Sequence, residues 1–590
     1  MSPFTRLRTA ALGGLASVAL AATLLTTPGT ASSAPTPSVF SPQVVAVETP
    51  TRADRQRLAR LGLDLTEHAG RDYVEVVLHS ALDRQRLRRA GFRYEVRIPD
   101  LLRRAAQNNA RNLVFAAENP RTLLPSGRNS YRTLADYESD LRALARQRPR
   151  IARHFTLPRR TLDGHRMHAI EIGPGVRKPP RGKPTFVILG LHHAREWPSG
   201  ELTMEFATDL VRNFGKDRRI TRLLRRARVI AVPVVNPDGF DLSRTDGGLL
   251  DLQKLNPLDP LGGTLAVLAT PGQAYKRKNC RVVDGVDLPD GTCRLTLASP
   301  GGNGFGVDLN RNYGGFWGGP GAAGPLGGID PDNPLNVLGP LAQTYRGAGP
   351  FSEPETQNIR DLIASRQTTM MISNHTFSNL ILRPNGVNPT TRYRGEPMGD
   401  APDEAALKAL GARMAATNGY TNQHSWELYD TTGTTEDWSY NATGGFGYTF
   451  EIGPDEFHPP FENVVDEYLG AGKYAGKGNR EAFLIALAHA SDTRHHGVLR
   501  GRAPRGTVLR LTKRFRTPTW SGSFSDRVGA RLRVGPKGRF RWVVNPSTRP
   551  VAKKVERYTL TCSRGGKRLA RRTVRIERGQ VKTLRLRGCR

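Results

Sequence analysis

At 590 residues, with 88 Lys+Arg against 53 Asp+Glu, the chain is too long for one ordinary domain and carries a formal net charge of +35. That charge suggests a nucleic-acid binder until it is located: residues 501–590 hold 27 Lys+Arg and 3 Asp+Glu, and so contribute +24 of it. No nucleic acid is therefore expected, and the basic C-terminal segment instead suits salt-sensitive contact with an anionic cell envelope, or an Arg-rich surface spread over strands.

In chain order, Arg6 and Arg8, an apolar run from Ala10 to Leu25 and small residues around Ala31 and Ala34 follow the layout of a cleavable secretory signal over residues 1–34. The mature protein is expected to be secreted and extracellular, with no transmembrane segment. Four cysteines fit an oxidising compartment, and local pairs Cys280–Cys293 and Cys562–Cys589 are expected. Within residues 35–103, Asp54-Arg-Gln-Arg-Leu-Ala-Arg-Leu-Gly62 returns as Asp83-Arg-Gln-Arg-Leu-Arg-Arg-Ala-Gly91. Each copy predicts a short helix ended by glycine, with strands at Val44–Val47, Tyr73–Leu78 and Phe92–Val96, an order that suggests a ferredoxin-like α+β segment. Residues 104–130, rich in Arg, Asn, Pro and Ser, are expected to form an exposed linker.

From Tyr131 the texture changes. Thr185–Leu191 and Val229–Val235 are nearly continuous apolar runs, as strands covered on both faces require, and Glu201–Phe214 between them has helical spacing. Residues 131–489 therefore predict an α/β domain with helices on both faces of its sheet. Asn236-Pro-Asp-Gly-Phe240 predicts a turn, and residues 256–270 and 314–328 predict long loops or insertions. Beyond Gly501, short alternating strands such as Thr507–Thr512 predict a small all-β sandwich over residues 501–590.

The run Thr185–Leu191 ends in His192-His193-Ala194-Arg195-Glu196-Trp197, at the carboxyl end of a buried strand, where open α/β sheets place their sites. A His and a Glu three apart can face one point, and imidazole with carboxylate suits Zn²⁺. His192 competes with His193 for ligation, but neighbours on an extended segment point to opposite faces, so one of the two should reach a metal.

His193-Ala-Arg-Glu196-Trp resembles the zinc motif of the metallocarboxypeptidase family related to the pancreatic carboxypeptidases. That resemblance implies a carboxypeptidase-like mixed, twisted sheet and one Zn²⁺ per chain, with a third ligand at the end of a later strand. Thr369-Met-Met-Ile-Ser-Asn-His375 supplies it. Gly306-Val-Asp308-Leu-Asn310-Arg311-Asn312-Tyr313 resembles the family's carboxylate grip, with Asn310 and Arg311 holding a free C-terminus and Asp308 fixing the tautomer of His193. By the same resemblance Arg195 binds substrate, Arg277 of Tyr275-Lys-Arg-Lys278 stabilises the oxyanion, and Tyr429 caps the bound carboxylate. Tyr448-Thr-Phe-Glu451-Ile452 supplies Glu451 as general base. Glu436 stands where relatives that favour basic residues have an acid, implying a preference for C-terminal Lys or Arg, and Phe377 stands where the family often has Tyr.

The resemblance spans roughly Tyr131 to His489 and implies peptide or protein substrates with free C-termini. It also implies that the duplicated segment is an inhibitory pro-segment, making the chain a zymogen, whereas its residues alone equally suit a permanent adhesion module. A zinc hydrolase of peptidoglycan peptides and a non-catalytic envelope-binding protein are the alternatives.

Overall fold

The computed structural model describes residues 40–179, 181–245, 273–281, 305–325, 339–340, 342–551 and 554–589. The predicted signal at residues 1–34, the predicted loop over 256–270, residues 326–328 of the predicted loop over 314–328, and Cys293 lie outside these residues. Among the described residues no helix is long and apolar enough to cross a membrane.

The first unit runs β1 (Gln43–Glu48), α1 (Arg52–Ala59), β2 (Asp64–Ala69), β3 (Tyr73–Leu78), α2 (Ala81–Arg89) and β4 (Tyr94–Ile98), its sheet ordered β2-β3-β1-β4. The sequence repeat becomes a structural one. Thr51 and Ser80 each accept from the backbone of the Asp three residues on, that Asp returns a bond to the cap, and Gly62 and Gly91 carry the chain out with φ of 67° and 74°. Strand β2 has no counterpart among the sequence predictions.

Residues 104–118, expected to be linker, instead continue a helix, α3 (Leu101–Glu118). Asp100 caps it by accepting from the Arg103 amide, and tertiary contacts hold its sparse apolar face. Asn108 donates to the His458 carbonyl and Phe115 packs on Phe461.

The central domain continues with α4 (Leu134–Gln147), β5 (Ala152–Arg160), β6 (Arg166–Ile172), β7 (Thr185–Leu189), α5 (Trp197–Asn213), α6 (Arg218–Arg226), β8 (Arg228–Val232) and α7 (Pro237–Thr245). After the insertions come α8 (Pro354–Ala364), β9 (Thr368–His375), β10 (Leu380–Arg383), a short hairpin of β11 (Arg392–Tyr393) and β12 (Glu396–Pro397), and α9 (Glu404–Asn418). The domain closes with β13 (Thr421–His424), α10 (Thr435–Thr443), β14 (Phe446–Glu451), α11 (Phe461–Leu469) and α12 (Asn479–His489). Its eight-stranded sheet is ordered β13-β10-β14-β9-β7-β8-β6-β5, with β14, β9, β7 and β8 mutually parallel at the centre. Residues 236–240, expected to turn, begin α7, because the Asn236 side chain accepts from the Gly239 amide as a helix cap does.

The C-terminal unit is a sandwich of a three-stranded and a four-stranded sheet whose strands start at Gly497 and run longer than predicted, up to 11 residues. Its apolar residues do not form a separate core. Leu509, Leu532 and Trp542 belong to one buried cluster with Val187, Leu309 and Trp438 of the central domain. Cys562 and Cys589 are disulfide-bonded.

Candidate active site

Strand β7 is buried along its whole length and stops against Gly190, where a Cβ would lie 2.6 Å from the Ser199 carbonyl oxygen. Leu191 then takes φ of 52°, unusual for a side-chain-bearing residue, and reverses the chain. This splits the histidine pair. His192 turns inward, its Nε2 2.9 Å from the Tyr313 hydroxyl and its Nδ1 3.0 Å from the Ser373 hydroxyl, a fully buried structural role.

His193 faces the other way. Its Nδ1 lies 2.6 Å from Glu196 Oε1 and 3.1 Å from His375 Nδ1, while Glu196 Oε2 lies 2.9 Å from His375 Nδ1. Three donor atoms from the ends of two adjacent parallel strands thus converge on one point. Ligands about 2.0–2.1 Å from a tetrahedral Zn²⁺ sit about 3.3 Å from one another, so the trio fits such an ion with slight expansion. Burial pushes His375 down to about 4, and burial with the Arg277 charge lowers His193, both shifts favouring the neutral imidazole that ligation requires.

Asp308 accepts from His193 Nε2 at 3.0 Å and from Arg277 Nε at 3.1 Å. Burial alone would raise its pKa, but Arg277 and His193 outweigh that and hold it well below the usual carboxylate range. Among the described residues neither terminal nitrogen of Arg277 makes a hydrogen bond although the side chain is buried, and Nη2 is paired with Asp308 by charge alone, at 3.1 Å. Its Nη1 points toward Glu67 of β2, at 3.8 Å.

Glu451 ends β14 in direct register with His375 on β9. It is buried, its Oε2 has no partner among the described residues, and burial, then Glu67 and Glu196, raise it well above the usual carboxyl range. Asn310 accepts from the Thr435 amide and hydroxyl, both at 2.9 Å, and the buried Arg311 donates from Nε to the Gly321 carbonyl and from Nη1 to the Asn310 carbonyl, both at 2.9 Å. Asn312 turns away, bonding Arg346, Gly349 and Ser352. Glu436, on α10, accepts from the Thr449 hydroxyl at 2.9 Å and has no Arg or Lys partner among the described residues.

Two residues that sequence reasoning missed occupy this cleft. Asp64 grips the Arg195 guanidinium with both carboxylate oxygens, and His79 Nε2 lies 2.7 Å from Asp64 Oδ2. Asp64 and Arg195 are fully buried, and Arg195 also stacks on Phe457 at 4.0 Å. Tyr429 is buried among β-sheet residues of the first unit, in one cluster with Val76 and Leu65. The signal available was thin: polar Asp64, Thr66 and Glu67 in a segment otherwise unremarkable.

Residues 137–469 match the family described as zinc carboxypeptidase. Carboxypeptidase A1 of Rattus norvegicus is 25% identical over 375 residues, spanning 61% of this chain and 71% of that protein. A zinc carboxypeptidase of Saccharothrix mutabilis subsp. capreolus is 27% identical over 470 residues, spanning 78% and 92%. In fold the chain is similar to the crystal structure of the carboxypeptidase A from Helicoverpa armigera, with a TM-score of 0.56, 19% identity, and coverage of 77% of this chain and 98% of that one.

Proposed function

The chain belongs to the zinc carboxypeptidase family, and on that footing we propose that it is a secreted zymogen that, once freed of residues 35–130, removes single residues from free C-termini, favouring Lys or Arg. The convergence of His193, Glu196 and His375, with Glu451 in register beside them, carries this conclusion.

His193, Glu196 and His375 would hold one Zn²⁺, which when bound supplies a Lewis acid for water and the scissile carbonyl. Asp308 fixes the His193 ring by accepting at Nε2, leaving Nδ1 for the metal. Glu451 takes the proton of the attacking water at its carboxylate and returns it to the departing amine. Its raised pKa in the closed chain reflects burial and Glu67, and loss of the first unit removes that acid from its side. Arg277, relieved of Glu67, offers its unfilled donors to the oxyanion. Asn310, Arg311, Arg195 and Tyr429 bind the substrate's terminal segment, the planar guanidinium of Arg311 suiting its carboxylate.

Glu436 is buried without a cationic partner among the described residues, which supports a pocket for Lys or Arg. Asp64 on Arg195 and Glu67 beside Arg277 support an inhibitory role for the first unit, since both arginines are candidate substrate contacts. The basic sandwich supports contact with an anionic envelope.

The test is zinc content and peptide hydrolysis for the chain from Tyr131 onward, wild type against Glu451→Gln. Retained metal with lost hydrolysis is expected. Full activity of the variant would refute the assigned base, and wild-type protein without zinc would refute the centre.

A further inference from the structure

At the other end of the sheet, by the amino ends of β7 and β8, a cavity of about 1040 Å³ opens between the central domain and the sandwich. Twelve of its lining residues are Arg or Lys and two are acidic. Both acids are engaged: Glu171 pairs with Arg153 and Arg228, and Asp361 with Arg159. Arg360 turns to Asp526. The other nine cations have no carboxylate partner among the described residues.

The cations are built in rather than scattered. On the sandwich side, strand pairing sets Arg510 directly opposite Arg531, and Arg527 and Arg533 stand on the same strand as Arg531. Like charges in that relation oppose folding. Alternation also repeats the charge about every 6.6 Å along a strand, as from Arg531 to Arg533. On the facing side, Gly182 fixes the loop that bears Arg181 and Lys183: its carbonyl accepts from the Val543 amide at 3.1 Å, and a Cβ there would lie 2.3 Å from the Arg541 carbonyl oxygen. Between the two sides Arg366 is pushed down by burial and by Arg153, Arg228 and Arg531, and Lys183 is lowered to about 8 by burial and Arg228.

We infer that this interdomain groove binds a linear phosphate-bearing polyanion, one with a charge on every unit and no bases to be read. Guanidinium forks suit phosphate oxygens bidentately, and cations on both walls of the groove suit a repeating charge. Among the described residues the groove offers no platform for stacking nucleobases, because the sole aromatic in its lining, Trp542, is 2% exposed. Such a polymer neutralises both halves at once and ties the sandwich to the central domain, at a place remote from the metal-ligand residues.

The test titrates the full chain with inorganic polyphosphate by calorimetry at several salt concentrations. Wild type should bind saturably, with log K falling linearly against log salt. Arg510→Gln/Arg531→Gln/Arg533→Gln should weaken binding about tenfold or more and reduce the salt slope by about 2, at roughly 0.7–0.9 for each phosphate no longer neutralised. Arg568→Gln/Arg571→Gln/Arg572→Gln, equally basic and exposed on the far edge strand, should change neither. Should the first triple not fold by circular dichroism, Lys178→Gln/Arg181→Gln/Lys183→Gln on the opposite wall gives the same readout. Equal weakening by the control triple, absence of saturable binding, or tighter binding of polyglutamate or of a homopolymeric oligonucleotide at matched charge would overturn the assignment.

Discussion

Asp64→Ala should switch on the full-length chain without any cut. In the closed form Asp64 is buried, holds Arg195 through both oxygens and is braced by His79. Burial by itself would raise the pKa of Asp64, yet Arg195 and His79 hold it far below the usual range, so Asp64 stays a carboxylate at physiological pH. Removing the carboxylate strands a buried guanidinium, which costs about 3–5 kcal/mol. That cost falls on the closed form alone, because Arg195 is rehydrated once the first unit lifts away. The closed-to-open ratio should therefore drop by about a hundredfold to a few thousandfold. The assay is hydrolysis of a peptide ending in Arg by intact protein, with the N-terminus sequenced to exclude cleavage. Val76→Ala, which loosens the core of the first unit without touching Arg195, controls for simple unfolding. If Asp64→Ala stays as silent as wild type while the chain from Tyr131 is active, or gains no more than Val76→Ala, the pair is not the latch.

Glu436→Leu should lower kcat/KM for C-terminal Arg relative to C-terminal Leu by about a hundredfold, the scale of a substrate cation left unpaired in a buried pocket, measured on paired peptides. Lys513 is buried, donates to the Pro546 and Ser547 carbonyls at 3.2 and 3.1 Å, and is pushed down to about 7 by burial. An unfolded Lys keeps its proton to about pH 10.4, so between about pH 7 and that value the unfolded chain binds more protons and stability should rise with pH. Thermal melts across this window should show the rise in wild type and a flatter profile in Lys513→Met. Replacing Cys562 and Cys589 by Ser opens a loop with a sequence separation of 27 and should cost about 3.5 kcal/mol, seen as a lower denaturation midpoint of the sandwich.

What could be read beforehand follows from where the information lies. Strands β7 and β9 are buried along their whole length because both faces are covered, and His193 and His375 are conspicuous because each follows an apolar stretch, Phe186–Leu189 and Met370–Ile372. The two copies around Asp54 and Asp83 carry their own caps, so α1 and α2 were legible from a dozen neighbouring residues. Strand β2 was not, since Asp64-Leu-Thr-Glu-His-Ala buries its acids against partners far along the chain, Arg195 being 131 residues away. Local sequence gives a buried Asp and a solvated one the same letter. Helix α3 escaped for a related reason: its composition is that of a linker, and what orders it is Asn108 and Phe115 meeting His458 and Phe461.

The basic C-terminal segment changes most when its residues are placed. Alternation along its strands sends Leu509, Leu511 and Phe515 inward and Arg510, Arg514 and Arg516 outward, so one periodicity produces both the core and the charge. Its buried side continues into the central domain. Asp526, inside the interface, accepts from Trp438 Nε1 at 3.1 Å and from Arg360 at 2.9 Å, and Trp438 lies two residues from Glu436 on α10. The helix that would set substrate preference thus rests against the sandwich, and a segment bound this way cannot serve only as a detachable tether. Its charge projects from a body that is part of the enzyme's own scaffold, so any polyanion it recruits is held at a fixed place on that scaffold.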